Sequence, residues 1–240
     1  MTAAVPASSP RAAFWRGFVN ALPFLLVVGP FGLVFGVVAA EAGLDLLAAG
    51  AMSVLVIAGA AQFTALQLLV DQAPVAIAIA TALAVNLRTA MYSAALVPHL
   101  GAAPLRVRAF AAYLLVDQTF AASLAEYERR PGMTLGEKLA FYFGSATPVV
   151  PVWIGASLAG AVLGRGLPPG YALDFAVPIA FLAILSPMVR TLAHLVAAAV
   201  SVGTALAFAW VPYGGALLIA GVLAMLAGAE VERRMEARRP

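Results

Sequence analysis

APVAIAIATALAVNLRTAMYSAALV, residues 73–97, is a run of twenty-five residues with a single charge, Arg88. A helix of that length reaches about 37 Å, more than the roughly 30 Å of hydrocarbon in a bilayer. A surface helix of a soluble protein would show a polar stripe recurring every three to four residues. Here the polar side chains instead gather mid-way, at Asn86, Arg88, Thr89 and Tyr92, with apolar residues on both sides. An ionisable group in lipid is costly, so a polar station at mid-depth is itself a functional signal.

The rest of the chain has the same character. Of its 240 residues 63% are hydrophobic and 10% charged, where soluble domains carry about 25% charge. Seven further apolar segments can be drawn: Gly17–Ala40, Leu46–Val70, Val107–Ala125, Leu139–Leu163, Leu173–Val189, Leu192–Trp210 and Gly214–Ala229. The runs are continuous and do not alternate every second residue, which excludes a closed barrel. The expected fold is an all-α integral membrane protein, a polytopic bundle of about 7–8 transmembrane helices. Segment four contains Asp117 and Gln118, and the last three segments are short, so some helices are expected to be broken or re-entrant.

No cysteine is present, which removes disulfides, thiolate metal sites and a Cys nucleophile. The net charge of +3 sits beside apolar segments and suits anionic lipid headgroups, not nucleic acid. No charge precedes Arg11, so a cleavable signal is not expected. If all eight segments cross, ten Lys/Arg lie on the N-terminal side and three on the other, Arg106, Arg108 and Arg165. That bias puts both termini in the cytoplasm of a multi-pass protein. Arg106 and Arg108 fit poorly, and a re-entrant second segment would move their loop inside.

The whole of 1–240 reads as one transmembrane domain. The hydrophilic stretch 126–137 joins two halves, 14–125 and 138–230. Segments one and five both carry prolines followed by small residues, but apolar proline-rich helices resemble one another by chance, and this alone does not establish a repeat.

Three clusters could carry chemistry. Ala58-Gly59-Ala60-Ala61-Gln62-Phe63 combines small residues with an amide; it suits either a tight helix crossing or a binding site. In Asn86–Tyr92, Arg88, Tyr92 and His99 share one helix face and Asn86 and Ser93 the opposite one. A buried Arg offers a fixed fork of donors to a carboxylate, and it equally suits a structural ion pair with Asp117. Asp117 itself, with Tyr113 one turn earlier, can serve as that counter-ion or exchange a proton as access alternates. The candidate binding residues are thus Gly59, Gln62, Asn86, Arg88, Tyr92 and Asp117, with Asp117 the candidate for proton coupling. No cofactor or metal is expected. No G-x-S-x-G or H-E-x-x-H occurs, so a membrane-embedded enzyme is disfavoured.

These residues resemble the AzlC family, the larger subunit of bacterial branched-chain amino acid exporters. The similarity rests on Pro30-Phe31-Gly32 through Ala42-Gly43-Leu44, Ala58–Phe63, Val85-Asn86-Leu87-Arg88, Tyr92, Pro98-His99-Leu100 and Asp117 followed by Phe120-Ala121. Beyond residue 125 Asp174-Phe175-Ala176-Val177-Pro178 is the best match. Thr89 stands where members often carry His, and Gln118 where an acidic residue follows the Asp. The resemblance implies export of valine, leucine, isoleucine or methionine across the bacterial inner membrane with a small hydrophobic AzlD-type partner. A channel or a non-transporting assembly subunit is the alternative.

Overall fold

A computed structural model describes residues 9–166, 189, 191–211 and 215–237. They form two compact units, Met1–Phe63 with Val85–Tyr171, and Thr64–Ala84 with Ala172–Pro240. Among the described residues every regular element is helical, as the apolar runs require. Among the described residues four helical stretches are long and apolar enough to span a membrane: Pro10–Glu41, Val75–Leu100, Leu135–Gly164 and Gly215–Met235.

In the first unit segment one becomes α1 (Pro10–Ala21), a 3-10 turn (Leu22–Phe24) at Pro23, and α2 (Leu25–Glu41). Segment five becomes α8 (Leu135–Gly164), opened by a capping box between Thr134 and Glu137. These two long elements lie side by side and run in the same direction, Phe14 beside Gly144 and Leu33 beside Gly160. The approach is close enough that a methyl group on Gly144 or Gly160 would overlap a backbone carbonyl of the neighbour. Between lipid-bathed helices such packing supplies the attraction that the hydrophobic effect supplies in water.

Segment two is two helices, α3 (Leu46–Val56), capped by the Asp45 carboxylate, and α4 (Gly59–Val70). The break falls at Ile57, a β-branched residue at φ 40° and ψ 40°. That left-handed conformation costs a non-glycine residue about 1–3 kcal/mol. Segment three is α5 (Val75–Leu100), uninterrupted through Asn86.

Segment four does not cross. It forms α6 (Leu105–Tyr113) and α7 (Asp117–Arg129). At the end of α5 the His99 ring packs on Tyr127 near the end of α7, with centroids 5.0 Å apart. His99 Nδ1 also lies 3.3 Å from Nζ of Lys138 at the start of α8, and the Tyr127 hydroxyl donates to the Lys138 carbonyl at 2.8 Å. The end of α5, the end of α7 and the start of α8 therefore share one end of the unit. Leu105 follows Leu100 by a four-residue link, so α6 begins there too. Asp117, by contrast, meets Arg88, about 18 Å along α5 from Leu100. The segment enters and leaves by the same end, with its turn at mid-depth. α3 and α4, of eleven and twelve residues, are each too short to span the hydrocarbon alone.

Segment four is thus one of the broken or re-entrant helices that the sequence leads one to expect. Arg106 and Arg108 share the end that holds Arg16, Arg129, Arg130 and Lys138, and the poor fit of that pair disappears. The hydrophilic stretch 126–137 is also mostly helical. Its true link is residues 130–134, because Glu126 and Glu137 turn inward and are 3% exposed. Glu126 is held by Arg16 Nε at 3.3 Å, Arg130 Nε at 3.2 Å and Arg129, ion pairs that its buried carboxylate requires.

In the second unit α9 (Leu192–Ala207) and α10 (Gly215–Glu236) pack along each other, Gly228 against Ala197. α10 outruns its apolar segment because Glu230 pairs with Arg233 and Arg234 one turn on. Segment six, Leu173–Val189, lies outside the described residues apart from Val189.

The chain has no cysteine, so single cysteines report sidedness directly. Ala102→Cys and Gly132→Cys, probed in sealed vesicles with an impermeant maleimide, are expected to react from the same side and Gly166→Cys from the other. Reaction of Ala102→Cys and Gly132→Cys from opposite sides would show that α6–α7 crosses.

Candidate functional site

Arg88 lies near the centre of α5, twelve residues before Leu100 and thirteen after Val75. Its Nη1 is 3.1 Å from Oδ2 of Asp117, with both side chains a little over one third open. Asp117 is the first residue of α7, where the helix dipole favours negative charge. One turn along each helix, Tyr92 stacks on Phe120 with centroids 4.2 Å apart and planes 10° apart. Ion pair and ring pair thus stand on one seam between α5 and α7. The face shared by Arg88, Tyr92 and His99 is the face turned to α7.

Two polar atoms of this pair, Arg88 Nε and Asp117 Oδ1, are buried without a hydrogen-bond partner, and so is Asn86 Oδ1 on the opposite face of α5. Thr89, by contrast, is satisfied locally, its hydroxyl donating to the Asn86 carbonyl at 2.8 Å. A buried polar atom left unpaired costs about 1–3 kcal/mol. At the ion pair one donor and one acceptor stand together.

Gly59 and Gln62 form a second cluster at the start of α4. Gln62 is fully buried and donates through Nε2 to Ser53 Oγ at 3.4 Å, while its Oε1 has no partner. Around them lie four aromatic rings. Phe31 sits 4.9 Å from Phe63 and 5.7 Å from Trp153, and Phe35 sits 5.4 and 6.0 Å from the same two. The Trp153 indole N–H is buried and unpartnered as well. The two broken segments are tied together by Tyr113, whose hydroxyl donates to the Val54 carbonyl at 2.5 Å. Tyr113 is consequently not a partner of Asp117 one turn on, since the backbone breaks between them.

Sequence reasoning passes over Ser53, Trp153 and Thr119. The available signal for Trp153 is its depth, because a tryptophan near the middle of a span lies far from the interfacial belt. Thr119 is fully buried with an unpaired hydroxyl on the opposite face of α7 from Asp117.

A family model described as AzlC protein matches residues 23–167, more than half of the chain and all of both clusters. The chain belongs to the AzlC family. AzlC proteins are membrane proteins linked to amino-acid transport. This AzlC chain is 34% identical over 220 residues to an uncharacterized membrane protein of Archaeoglobus fulgidus, covering 90% of this chain and 94% of that one. It is 28% identical over 195 residues to the inner membrane protein YgaZ of Escherichia coli, covering 77% of each. A Helicobacter pylori membrane protein is 30% identical over 152 residues, 63% of this chain and 64% of its own length. No solved structure matches the chain.

A Cβ at Gly59 would stand 2.7 Å from the Phe31 ring and 2.9 Å from the Trp153 ring. Gly59→Val is therefore expected to cost about 1–3 kcal/mol of stability, seen as an earlier thermal unfolding of the purified protein in detergent. An unchanged unfolding temperature would show that the rings yield freely.

Proposed function

We propose that this chain is the large subunit of an exporter of branched-chain amino acids, driven by exchange with protons through Asp117. The observation that carries the reading is the two unpartnered atoms of the ion pair half-way along α5, one donor on Arg88 and one acceptor on Asp117. A zwitterion needs that complement once it leaves water, because neither of its charges can be buried unpaired. In this reading its carboxylate meets Arg88 Nε and its ammonium Asp117 Oδ1, while the Asn86 amide on the other face of α5 is an alternative acceptor for the ammonium. The stacked Tyr92 and Phe120 rings offer apolar surface to an aliphatic side chain, which favours valine, leucine, isoleucine and methionine over polar substrates. Gln62 Oε1, beside Gly59 at the second helix break, supplies a further acceptor for the ammonium as the site opens.

The coupling follows from one carboxylate serving two cations. While Asp117 is ionised it holds both Arg88 and the ammonium. A proton arriving at Asp117 neutralises it, and the ammonium loses its partner. Proton entry from the outer side thereby expels the amino acid there, and loss of the proton inside readies the site again. With the arginine-rich end of the first unit in the cytoplasm, the substrate leaves the bacterial cytoplasm across the inner membrane. A small apolar AzlD-type subunit completes the exporter.

Leucine counterflow in liposomes holding both subunits tests this. Arg88→Ala is expected to lower flux at least about tenfold, the worth of a hydrogen bond to a charged group. Asp117→Asn, fixed in the neutral form that releases the ammonium, is expected to lower exchange and to lose its acceleration by an inward proton gradient. Unaltered proton dependence in Asp117→Asn would remove Asp117 from the coupling, and wild-type flux in Arg88→Ala would reject the carboxylate site.

A further inference from the structure

Behind the seam, on the side of α5 away from Arg88, α5 and α6 enclose a cavity of about 300 Å³. Ser93 marks its deep end and Gly101 with Arg108 its mouth. Eight residues of helix separate Ser93 from Gly101, so the cavity runs about 12 Å along α5, from the end of the span toward mid-bilayer. Its floor is buried and apolar, formed by Leu96, Ala111, Leu115 and Tyr142. The Tyr142 hydroxyl is occupied, donating to the Ala111 carbonyl at 2.6 Å. Its edges are open, Val97 being 60% and Leu105 72% exposed.

Shape and charge select the occupant. A volume of about 300 Å³ over about 12 Å leaves a cross-section of about 25 Å². With a water radius of about 1.4 Å added at each wall the groove is about 8 Å across, narrower than a helix of about 10–12 Å and wide enough for one hydrocarbon chain. At the mouth the exposed Arg108 donates to the Gly101 carbonyl at 3.4 Å, which leaves most of its five N–H groups for another acceptor. No carboxylate lines the cavity. A zwitterionic amino acid would find nothing there for its ammonium. We infer that the groove between α5 and α6 holds one acyl chain of an anionic phospholipid, whose phosphate meets Arg108. The mouth lies where headgroups lie, at the end of the unit already rich in arginine, and anionic lipids gather at such sites. The re-entrant shape of segment four creates the space, since α6 stops half-way along α5. A lipid there would brace the short helix whose far end carries the break before Asp117.

Native mass spectrometry of the full-length protein in detergent, given equal phosphatidylglycerol and phosphatidylcholine, tests the inference. Wild type is expected to retain one phosphatidylglycerol over phosphatidylcholine by about fivefold, the worth of one arginine near a lipid surface. Arg108→Gln is expected to bind both lipids equally. Ala112→Phe, and independently Ala109→Phe, should fill the groove and retain neither, with helix content by circular dichroism confirming the fold. Inorganic phosphate should not displace the bound lipid. Equal retention by wild type, undiminished retention in both filled variants, or displacement by phosphate alone would each overturn it.

Discussion

The ion pair between Arg88 and Asp117 is the interaction on which the first unit depends. Two opposite charges at mid-depth are tolerable in lipid only if each compensates the other, and they meet only because segment four turns back half-way. A continuous helix from Leu105 to Arg129 would carry Asp117 past Arg88 with no helix end beside it. The break at residues 114–116 makes Asp117 the first residue of α7, so dipole and guanidinium act on one carboxylate. Irregular backbone at that depth is otherwise excluded from hydrocarbon and survives only when protein or a water-lined cavity surrounds it.

Around this pair the unit divides into stiff and compliant parts. α1–α2 and α8 are locked by glycines that admit the neighbour's backbone at Gly17, Gly36, Gly144 and Gly160. Any side chain there would push the pair apart. The broken segments are different in kind. Ile57 holds a strained left-handed turn, and the tip of α6 is fixed to α3 by a single hydroxyl, that of Tyr113. Discontinuous helices beside a fixed scaffold are the arrangement by which transporters expose a central site to one side at a time.

Much of this was legible in the sequence, and the part that was not has a definite cause. Length and hydropathy marked the helices α1–α2, α5 and α8, because each has an apolar stretch long enough to span the hydrocarbon, while the segment that becomes α10 looked short. The 100° period placed Arg88, Tyr92 and His99 on a common face, and α7 covers it. Asp117 within an apolar run announced an irregular segment. What hydropathy cannot distinguish is a helix that crosses from two half-helices that return, since both bury the same number of apolar residues. The charge of Arg106 and Arg108 was the clue, and it pointed to the second segment when the fourth is re-entrant. Trp153 and Ser53 stayed hidden because an isolated tryptophan or serine in a long apolar helix carries no pattern. Only the approach of α8 and α3 to the start of α4 gives them a role.

A functional charge pair and a structural one differ in what their exchange does. With Arg88→Asp and Asp117→Arg combined, the attraction between α5 and α7 is restored while the donor and acceptor of the site trade places. The direct measurement is leucine counterflow by this double variant, alongside its thermal unfolding. A protein that stays folded, less stable than wild type only by the about 0.3–1 kcal/mol that an acid contributes at the start of α7, and that moves no leucine is the expected result. Full leucine flux in the exchanged protein would contradict the assignment, and would reduce the pair to a clasp between two helices.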